Sequence, residues 1–233
     1  ADVPWEYVAL YYALGLPADV RASRWEESFV PMELRDLVRM VRLPGPDGAE
    51  RPLSKSQQVI YRSTQAEPPL DPPGRLPYFL GVGLALGALC AGLGLAGRRS
   101  RAARIGLGVT SGLFGLVAGL CGLLLVFLWV ATNHRASHAN ANILQSVPWA
   151  IGLVVTAVGI ARKDPRRVRQ AFSLVVAAAG VSALGLLMRV TGLLVQNTDA
   201  FVALFLPLWA GLAFGLRTLL SDQKIGTGVP RNG

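Results

Sequence analysis

The chain has 233 residues, a formal net charge of +9 and a hydrophobic content of 52%. Its excess of arginine does not indicate nucleic-acid binding, because residues 1–76 hold nine Lys/Arg against eleven Asp/Glu. The rest of the chain holds fourteen basic and three acidic groups, and most of the basic ones lie in short segments between long apolar stretches. Basic charge beside a bilayer serves membrane topology and headgroup contact, so we exclude nucleic acid as a partner.

Residues 1–63 predict a small, mainly helical segment ahead of the membrane. An apolar run at 5–14 stops at Gly15, and a second helix is predicted to begin at Pro31, since proline suits the first helical turn. Strong turn-forming residues follow at 44–48. The segment has no cysteine, so no disulfide can stabilise a core of this small size.

Residues 64–76 contain four prolines and predict a semi-rigid linker that leads to the membrane. Residues 77–220 then hold five apolar stretches, of which four reach the roughly 20 residues needed to cross hydrocarbon. The predicted spans are 77–97, 105–131, 143–161, 171–195 and 200–219. The predicted fold class is therefore an all-α membrane protein, a five-helix transmembrane bundle preceded by a small, mainly helical extracytoplasmic segment and followed by a cytoplasmic tail at 221–233.

The segments between the spans alternate between arginine-rich and cation-poor sequence. Segments 98–104 and 162–169 carry four and five basic residues, whereas 132–142 has Arg135 alone and 196–199 has none. By the positive-inside rule, the N-terminal segment lies outside the cytoplasm and the C-terminus lies within it.

Segment 132–142 is the only dense polar stretch in the membrane half, and it contains both histidines. His134 and His138 are four residues apart and would share one face of a helix. Zinc needs a third and a fourth ligand, and no carboxylate or cysteine is near, so we predict no metal and no cofactor. The segment is either a solvated loop at the headgroup level or a functional loop that borders an external site.

Three further residues within predicted spans could carry chemistry. Arg189 is predicted about 9 Å from the outer end of its span, where it either snorkels to lipid phosphate or pairs with segment 132–142. Cys90 and Cys121 are predicted at depths of about 20 and 15 Å, where a thiolate is strongly disfavoured. We expect both thiols to pack as inert side chains, and the chain shows no complete catalytic apparatus.

Two sets of residues resemble the bacterial Lnb-like proteins, which are lipoprotein intramolecular transacylases and their relatives. The first set, similar to the family segment "LPAD…W…FLP..L", is Leu16-Pro17-Ala18-Asp19, Trp25, Phe29-Val30-Pro31 and Leu34. The second set, similar to the family loop "H…N-x-N-x-L…P", is Asn133-His134, Asn140, Asn142, Leu144 and Pro148. The chain departs from the family at Met32, where the family tends to have aspartate.

The resemblance implies the tail of an exported papain-like or NlpC-like domain, followed by five helices in the bacterial inner membrane. It implies transfer of an acyl chain from a glyceryl ester to the N-terminal cysteine amine of a lipoprotein. The expected partners are therefore membrane lipid and a diacylated lipoprotein. The predicted binding residues are His134, Asn140, Asn142 and Arg189, with His134 and Asn140 hydrogen-bonded to the glyceryl or headgroup region.

The resemblance predicts no catalytic residue in this sequence. In the family, the catalytic cysteine and histidine precede the segment that corresponds to residues 16–19. The chain begins at Ala1 without an initiator methionine, so we expect an upstream part to be missing and this chain alone to be inactive. The alternatives are a non-enzymatic membrane scaffold or lipid-binding module, and a small transporter or cofactor-binding subunit. The last is disfavoured because the predicted spans contain neither histidine nor carboxylate.

Overall fold

The computed structural model describes residues 4–20, 22–61, 64 and 74–226. They form two compact units, one within 20–73 and one that combines 1–19 with 74–233. The α-helices are α1 (Pro4–Ala13), α2 (Leu16–Asp19), α3 (Arg24–Glu27), α4 (Pro31–Met40), α5 (Leu76–Gly97), α6 (Arg101–Val130), α7 (Gly152–Arg162), α8 (Pro165–Val190) and α9 (Asp199–Gly226). Short 3-10 helices cover Arg135–Ser137, Ala141–Leu144 and Pro148–Ile151. Most of the predicted linker and the last seven residues lie outside the described residues.

The unit within 20–73 is small and carries local stabilising features. Helix α3 begins with a capping box, in which the side chains of Ser23 and Glu26 each accept a hydrogen bond from the other's backbone N–H. Helix α4 begins at Pro31, as predicted. Strands β1 (Arg42–Pro44) and β2 (Glu50–Pro52) then pair in antiparallel fashion. The sequence indicated their turn but not the strands, whose six residues are all exposed and show no hydrophobic alternation.

Among the described residues, α5, α6, α8 and α9 are each long and apolar enough to cross a membrane. A fifth crossing exists if the bent pair Arg135–Leu144 and Pro148–Arg162, with 59° between its two parts, counts as one span. The sequence predicted a continuous helix at 143–161, but α7 is α-helical only from Gly152. Buried polar side chains and Pro148 occupy the segment before it, and they favour irregular backbone there.

Helix α8 ends five residues before the predicted limit of its span. Its C-terminus is followed by Gly192 at φ 77°, a left-handed conformation that commonly stops a helix at glycine. Arg189 therefore lies in the last turn of α8, and the prediction that it lies about 9 Å from the outer end of its span is wrong.

Helices α5 and α9 approach each other backbone to backbone. A Cβ atom added to Gly211 would lie 2.1 Å from the carbonyl oxygen of Gly87, and one added to Gly94 would lie 2.2 Å from the Cα of Gly215. Only glycine permits such an approach, which brings main-chain atoms into van der Waals contact in lipid.

The apolar core of the bundle centres on Trp209 in α9, which is fully buried. Its ring lies 4.5 Å from that of Phe114 on α6, measured between centroids, and 6.5 Å from that of Phe205. A second aromatic group joins Phe201 to Phe79 on α5 and to Tyr11 and Tyr12 on α1. Helix α1 is therefore packed against the bundle by aromatic contacts.

Candidate functional site

A cluster of buried polar side chains lies at the end of the bundle formed by segments 132–148 and 196–199, here called the cation-poor end. The polar cluster consists of Asn140, Asn142, Gln145, Ser146 and Gln196, each no more than 2% exposed. Burying an amide or a hydroxyl costs free energy unless the group forms a hydrogen bond. The hydrogen-bond partners of the cluster therefore indicate which part of the chain this end of the bundle binds.

The principal partner of the cluster is the C-terminal end of α1. The backbone carbonyl of Tyr12 accepts hydrogen bonds from Asn140 Nδ2 at 2.9 Å and from Asn142 Nδ2 at 3.0 Å. The carbonyl of Leu14 accepts one from Gln196 Nε2 at 3.0 Å. The last carbonyls of a helix have no partner within it, and here the amides of the bundle supply the missing donors.

Backbone contacts continue this attachment beyond the end of α1. The Gly15 N–H donates to the carbonyl of Ala136 at 2.7 Å, and a Cβ at Gly15 would lie 2.1 Å from the carbonyl oxygen of His138. The carboxylate of Asp19 accepts a hydrogen bond from the Asn197 N–H at 2.8 Å. Together with the amide contacts to Tyr12 and Leu14, these contacts form what we call the α1 clamp.

The side chain of Tyr12 also enters the polar cluster. Its hydroxyl hydrogen-bonds to the Ser146 hydroxyl, and its ring packs edge-on against Phe201 with 5.1 Å between centroids. Burial raises the pKa of Tyr12 above the ordinary tyrosine range, although the hydrogen bond to Ser146 acts in the opposite direction. The phenol is therefore held neutral, as a donor and acceptor inside the protein.

Gln145 connects the polar cluster to two membrane-spanning helices. Its side-chain oxygen accepts a hydrogen bond from Ser182 in α8, and its backbone carbonyl accepts one from Trp209 Nε1 in α9 at 3.2 Å. Two buried atoms of the cluster, Asn142 Oδ1 and Gln145 Nε2, have no hydrogen-bond partner among the described residues. The cluster thus retains one acceptor and one donor beyond those that its own contacts use.

Comparison with known proteins gives a family for the membrane part. The family model described as the Lnb transmembrane domain matches residues 80–222, more than half of the chain. The chain belongs to the Lnb transmembrane domain family. No curated protein matches it, and no solved structure does. The suspected resemblance to Lnb-like proteins is confirmed for the membrane domain.

The structure of this Lnb transmembrane domain brings together two of the four residues predicted to bind substrate. Asn140 and Asn142 are adjacent, since the side chain of Asn140 accepts a hydrogen bond from the Asn142 N–H at 2.9 Å. His134 is exposed, and no side-chain hydrogen bond joins it to either asparagine among the described residues. Their role in substrate binding stays a prediction.

Arg189 pairs with Asp199, a partner that was not predicted from the sequence. Its Nε lies 3.2 Å from a carboxylate oxygen of Asp199, the first residue of α9, and both side chains are partly exposed. Among the described residues it forms no ion pair with segment 132–142, and its contact with lipid phosphate stays a prediction. The ion pair instead links the adjacent ends of α8 and α9.

The histidines and cysteines show no arrangement for metal binding in the described part of the chain. His138 Nε2 lies 3.2 Å from the Thr132 carbonyl oxygen, a contact within its own loop. Cys90 is buried in α5, and Cys121 is half-buried in α6. Both thiols lie inside spanning helices, as predicted.

Four residues of the site were not predicted from the sequence: Tyr12, Gln145, Ser146 and Gln196. The sequence does contain one indication of the cluster, because Gln145 and Ser146 interrupt the apolar stretch that is predicted to be a span. An uncharged amide within such a stretch needs a hydrogen-bond partner, and the hydropathy pattern does not identify that partner. Gln196 gave no such signal, since it lies in a short polar loop where glutamine is ordinary.

Proposed function

We propose that this chain is the membrane part of a bacterial lipoprotein transacylase. In the proposed reaction, a thiolate attacks the carbonyl of a glyceryl ester and forms a thioester, and the departing glyceryl oxygen takes a proton from the acid form of the neighbouring base. The α-amine of the lipoprotein's N-terminal cysteine then attacks the thioester. An amide forms, the amine proton is lost to a base, and the thiolate is regenerated. The substrate is a diacylated lipoprotein embedded in the membrane.

This chain does not supply the nucleophile in the proposal. Its two cysteines are Cys90 and Cys121, and both lie in spanning helices, where a thiolate would be poorly solvated. We infer that the thiolate and its base belong to an exported segment outside residues 1–233. The membrane domain would hold that segment beside the lipid ester, which lowers the barrier through orientation and effective concentration.

The observation that carries the proposal is the α1 clamp. It fastens residues 11–19, which include the segment resembling the end of an exported catalytic domain, to the cation-poor end of the bundle. The family match supports the same assignment, because it identifies the helices beneath as an Lnb transmembrane domain. An exported domain attached at this point would work at the membrane surface.

We further propose that the bundle lies in the bacterial inner membrane with its cation-poor end outside the cytoplasm. The support is the distribution of charge, with four basic residues in 98–104 and five in 162–169. In this orientation the α1 clamp faces the compartment where lipoproteins are acylated.

The decisive experiment expresses the complete product of the gene that encodes this chain in a bacterium lacking its own lipoprotein N-acylation enzyme. Mass spectrometry of lipoprotein N-terminal peptides then measures the acylated fraction. We expect N-acylation with the wild-type protein and a loss of about tenfold or more in the Asn140→Ala/Asn142→Ala variant, because a misplaced catalytic segment loses its effective concentration. Asn133→Ala, at an exposed position of the same loop, is the matched control.

The alternative is a non-enzymatic membrane scaffold. The hydrogen bonds from both asparagine Nδ2 groups to the Tyr12 carbonyl favour it, since each commits an amide N–H to holding α1 and not to a ligand. A scaffold predicts free lipoprotein N-termini with every variant, and it predicts effects of Asn142→Ala on stability alone. N-acylation that depends on the clamp would exclude it.

A further inference from the structure

A groove lies between α6 and α7 at the opposite end of the bundle, formed by segments 98–104 and 162–169 and here called the Arg-rich end. It has a volume of about 550 Å³, within the range of small-molecule sites. Gly108 and Ala157 form its floor, where a Cβ at Gly108 would lie 2.5 Å from the Ala157 carbonyl oxygen. The helices therefore touch beneath the groove and leave it open toward the surrounding lipid.

The groove is charged at one end and apolar along the rest. Its charged end is formed by Arg101, Arg104 and Arg162, and no acidic residue lines it. None of the three arginines forms an ion pair among the described residues. Three guanidinium groups without a counter-charge form a site for an anion, because they donate charge-assisted, bidentate hydrogen bonds to phosphate.

Arg104 is held in place by the bundle itself. Its Nη1 donates a hydrogen bond to the Gly97 carbonyl oxygen at 2.8 Å, across the turn between α5 and α6. Its Nε is buried and has no acceptor among the described residues. An oriented guanidinium loses less entropy on binding an anion than a freely moving one.

The apolar walls of the groove continue from the arginines toward the membrane interior. They include Ile105, Val109 and Val158, each between 45% and 59% exposed. From Arg101 to Val109 the helix rises about 12 Å, so the groove runs from the headgroup region into the hydrocarbon. A ligand that fills it needs an anionic head and an apolar tail in line.

From this arrangement, we infer that the groove between α6 and α7 binds one anionic phospholipid of the leaflet at the Arg-rich end. Its phosphate lies among Arg101, Arg104 and Arg162, and one acyl chain lies along Ile105, Val109 and Val158. Basic pockets between membrane helices are suited to such headgroups. The site is at the other end of the bundle from the polar cluster, and it does not depend on the proposed acyl transfer.

Native mass spectrometry of the purified chain in mild detergent tests the inference. The probes are phosphatidylglycerol and phosphatidylcholine with identical acyl chains, titrated separately. We expect phosphatidylglycerol to bind more tightly, and Arg101→Gln/Arg162→Gln to weaken it about tenfold or more through the loss of charged hydrogen bonds. Arg166→Gln/Arg217→Gln removes the same charge outside this groove and should leave the affinity within about twofold.

A second variant tests the apolar part without altering the charge. Val109→Trp fills the groove from a position that is 54% exposed, so the bundle can accommodate it. We expect it to weaken phosphatidylglycerol binding while all three arginines remain. Equal binding of the two lipids, an equal loss in both double variants, unchanged binding in Val109→Trp, or displacement of the lipid by equimolar inorganic phosphate would each overturn the inference.

Discussion

The carbonyl of Tyr12 accepts hydrogen bonds from two asparagine side chains, and this redundancy determines the response to mutation. Each Nδ2 donor serves the same acceptor, so the loss of one leaves the other in place. Asn142 also buries an oxygen that has no hydrogen-bond partner in the described part of the chain, which offsets part of its contribution. The pair is therefore expected to act as a unit.

We expect Asn142→Ala to lower the free energy of unfolding by about 1 kcal/mol. The double variant Asn140→Ala/Asn142→Ala should lose more than the sum of the two single variants, because only then does the Tyr12 carbonyl lack both amide donors. Chemical denaturation in detergent measures the three values and their coupling. If the loss in the double variant equals the sum of the losses in the two single variants, the two asparagines do not act through a shared acceptor.

The buried phenol of Tyr12 predicts a pH dependence of stability. Above pH about 10, a tyrosine in the unfolded chain loses its proton, whereas burial keeps the proton on Tyr12 in the folded chain. The unfolded state then binds fewer protons, so stability falls as pH rises. Between pH 9 and 11, the free energy of unfolding should decline more steeply in the wild type than in Tyr12→Phe.

The control for this comparison is Tyr78→Phe, at a position that is 71% exposed. It should keep the wild-type slope, since it leaves the buried Tyr12 phenol in place. Parallel slopes in the wild type and in Tyr12→Phe would show that the phenol is solvated.

At the scale of elements, the contact between α5 and α9 depends on the absence of side chains. Gly211→Ala would place a methyl group 2.1 Å from the Gly87 carbonyl oxygen, so the helices must separate. We expect a loss of about 1–3 kcal/mol in the free energy of unfolding, the usual cost of overpacking. Thermal unfolding in detergent measures it.

Gly92→Ala is the matched control on α5, because a Cβ there meets nothing within 4 Å. It should leave stability unchanged or raise it slightly, since alanine has the higher helix propensity. If both glycines respond alike, the effect comes from helix propensity and not from the contact between the helices.

The elements that depend on local sequence could be predicted, and those that depend on distant partners could not. Apolar length predicts α5, α6, α8 and α9, because a spanning helix must be apolar along its whole length. The start of α7 was misplaced because residues 143–151 are apolar enough to extend a span. Their backbone conformation depends on the buried hydrogen bonds of Gln145 and Ser146, which a hydropathy pattern does not predict.

The candidate site was predicted in part for the same reason. Segment 132–142 stood out as polar sequence beside the membrane, and it does contain Asn140 and Asn142. Their partner, Tyr12, is 128 and 130 residues away, and Gln196 is 182 residues from Leu14. No periodicity within a segment indicates such contacts, so the α1 clamp could be found only from the structure.

At the scale of the whole molecule, residues 11–19 belong with the membrane bundle and not with the unit within 20–73. We predict that they stay bound when the chain is cut between the two. A site-specific protease sequence inserted after Val20 allows the cut, and size-exclusion chromatography in mild detergent follows the fragment. Residues 1–20 should co-elute with the bundle because of the α1 clamp and the ring contacts to Phe201.

The triple variant Asn140→Ala/Asn142→Ala/Gln196→Ala removes the three amide donors of the clamp, and it should release the fragment. Asn133→Ala, which changes an exposed amide in the same loop, should retain it. Release of the fragment from the wild-type protein would show that chain connectivity, and not the clamp, keeps it in place.

The short length of α7 has a consequence for the lipid around it. Helix α7 has 11 residues and rises about 16 Å, and the four-residue 3-10 helix Pro148–Ile151 adds about 8 Å. This falls short of the roughly 30 Å of a hydrocarbon layer, and a bilayer thins beside an element that is too short for it. Acyl chains next to α7 are therefore expected to tilt or compress, drawing their ester groups toward the midplane on one flank of the protein.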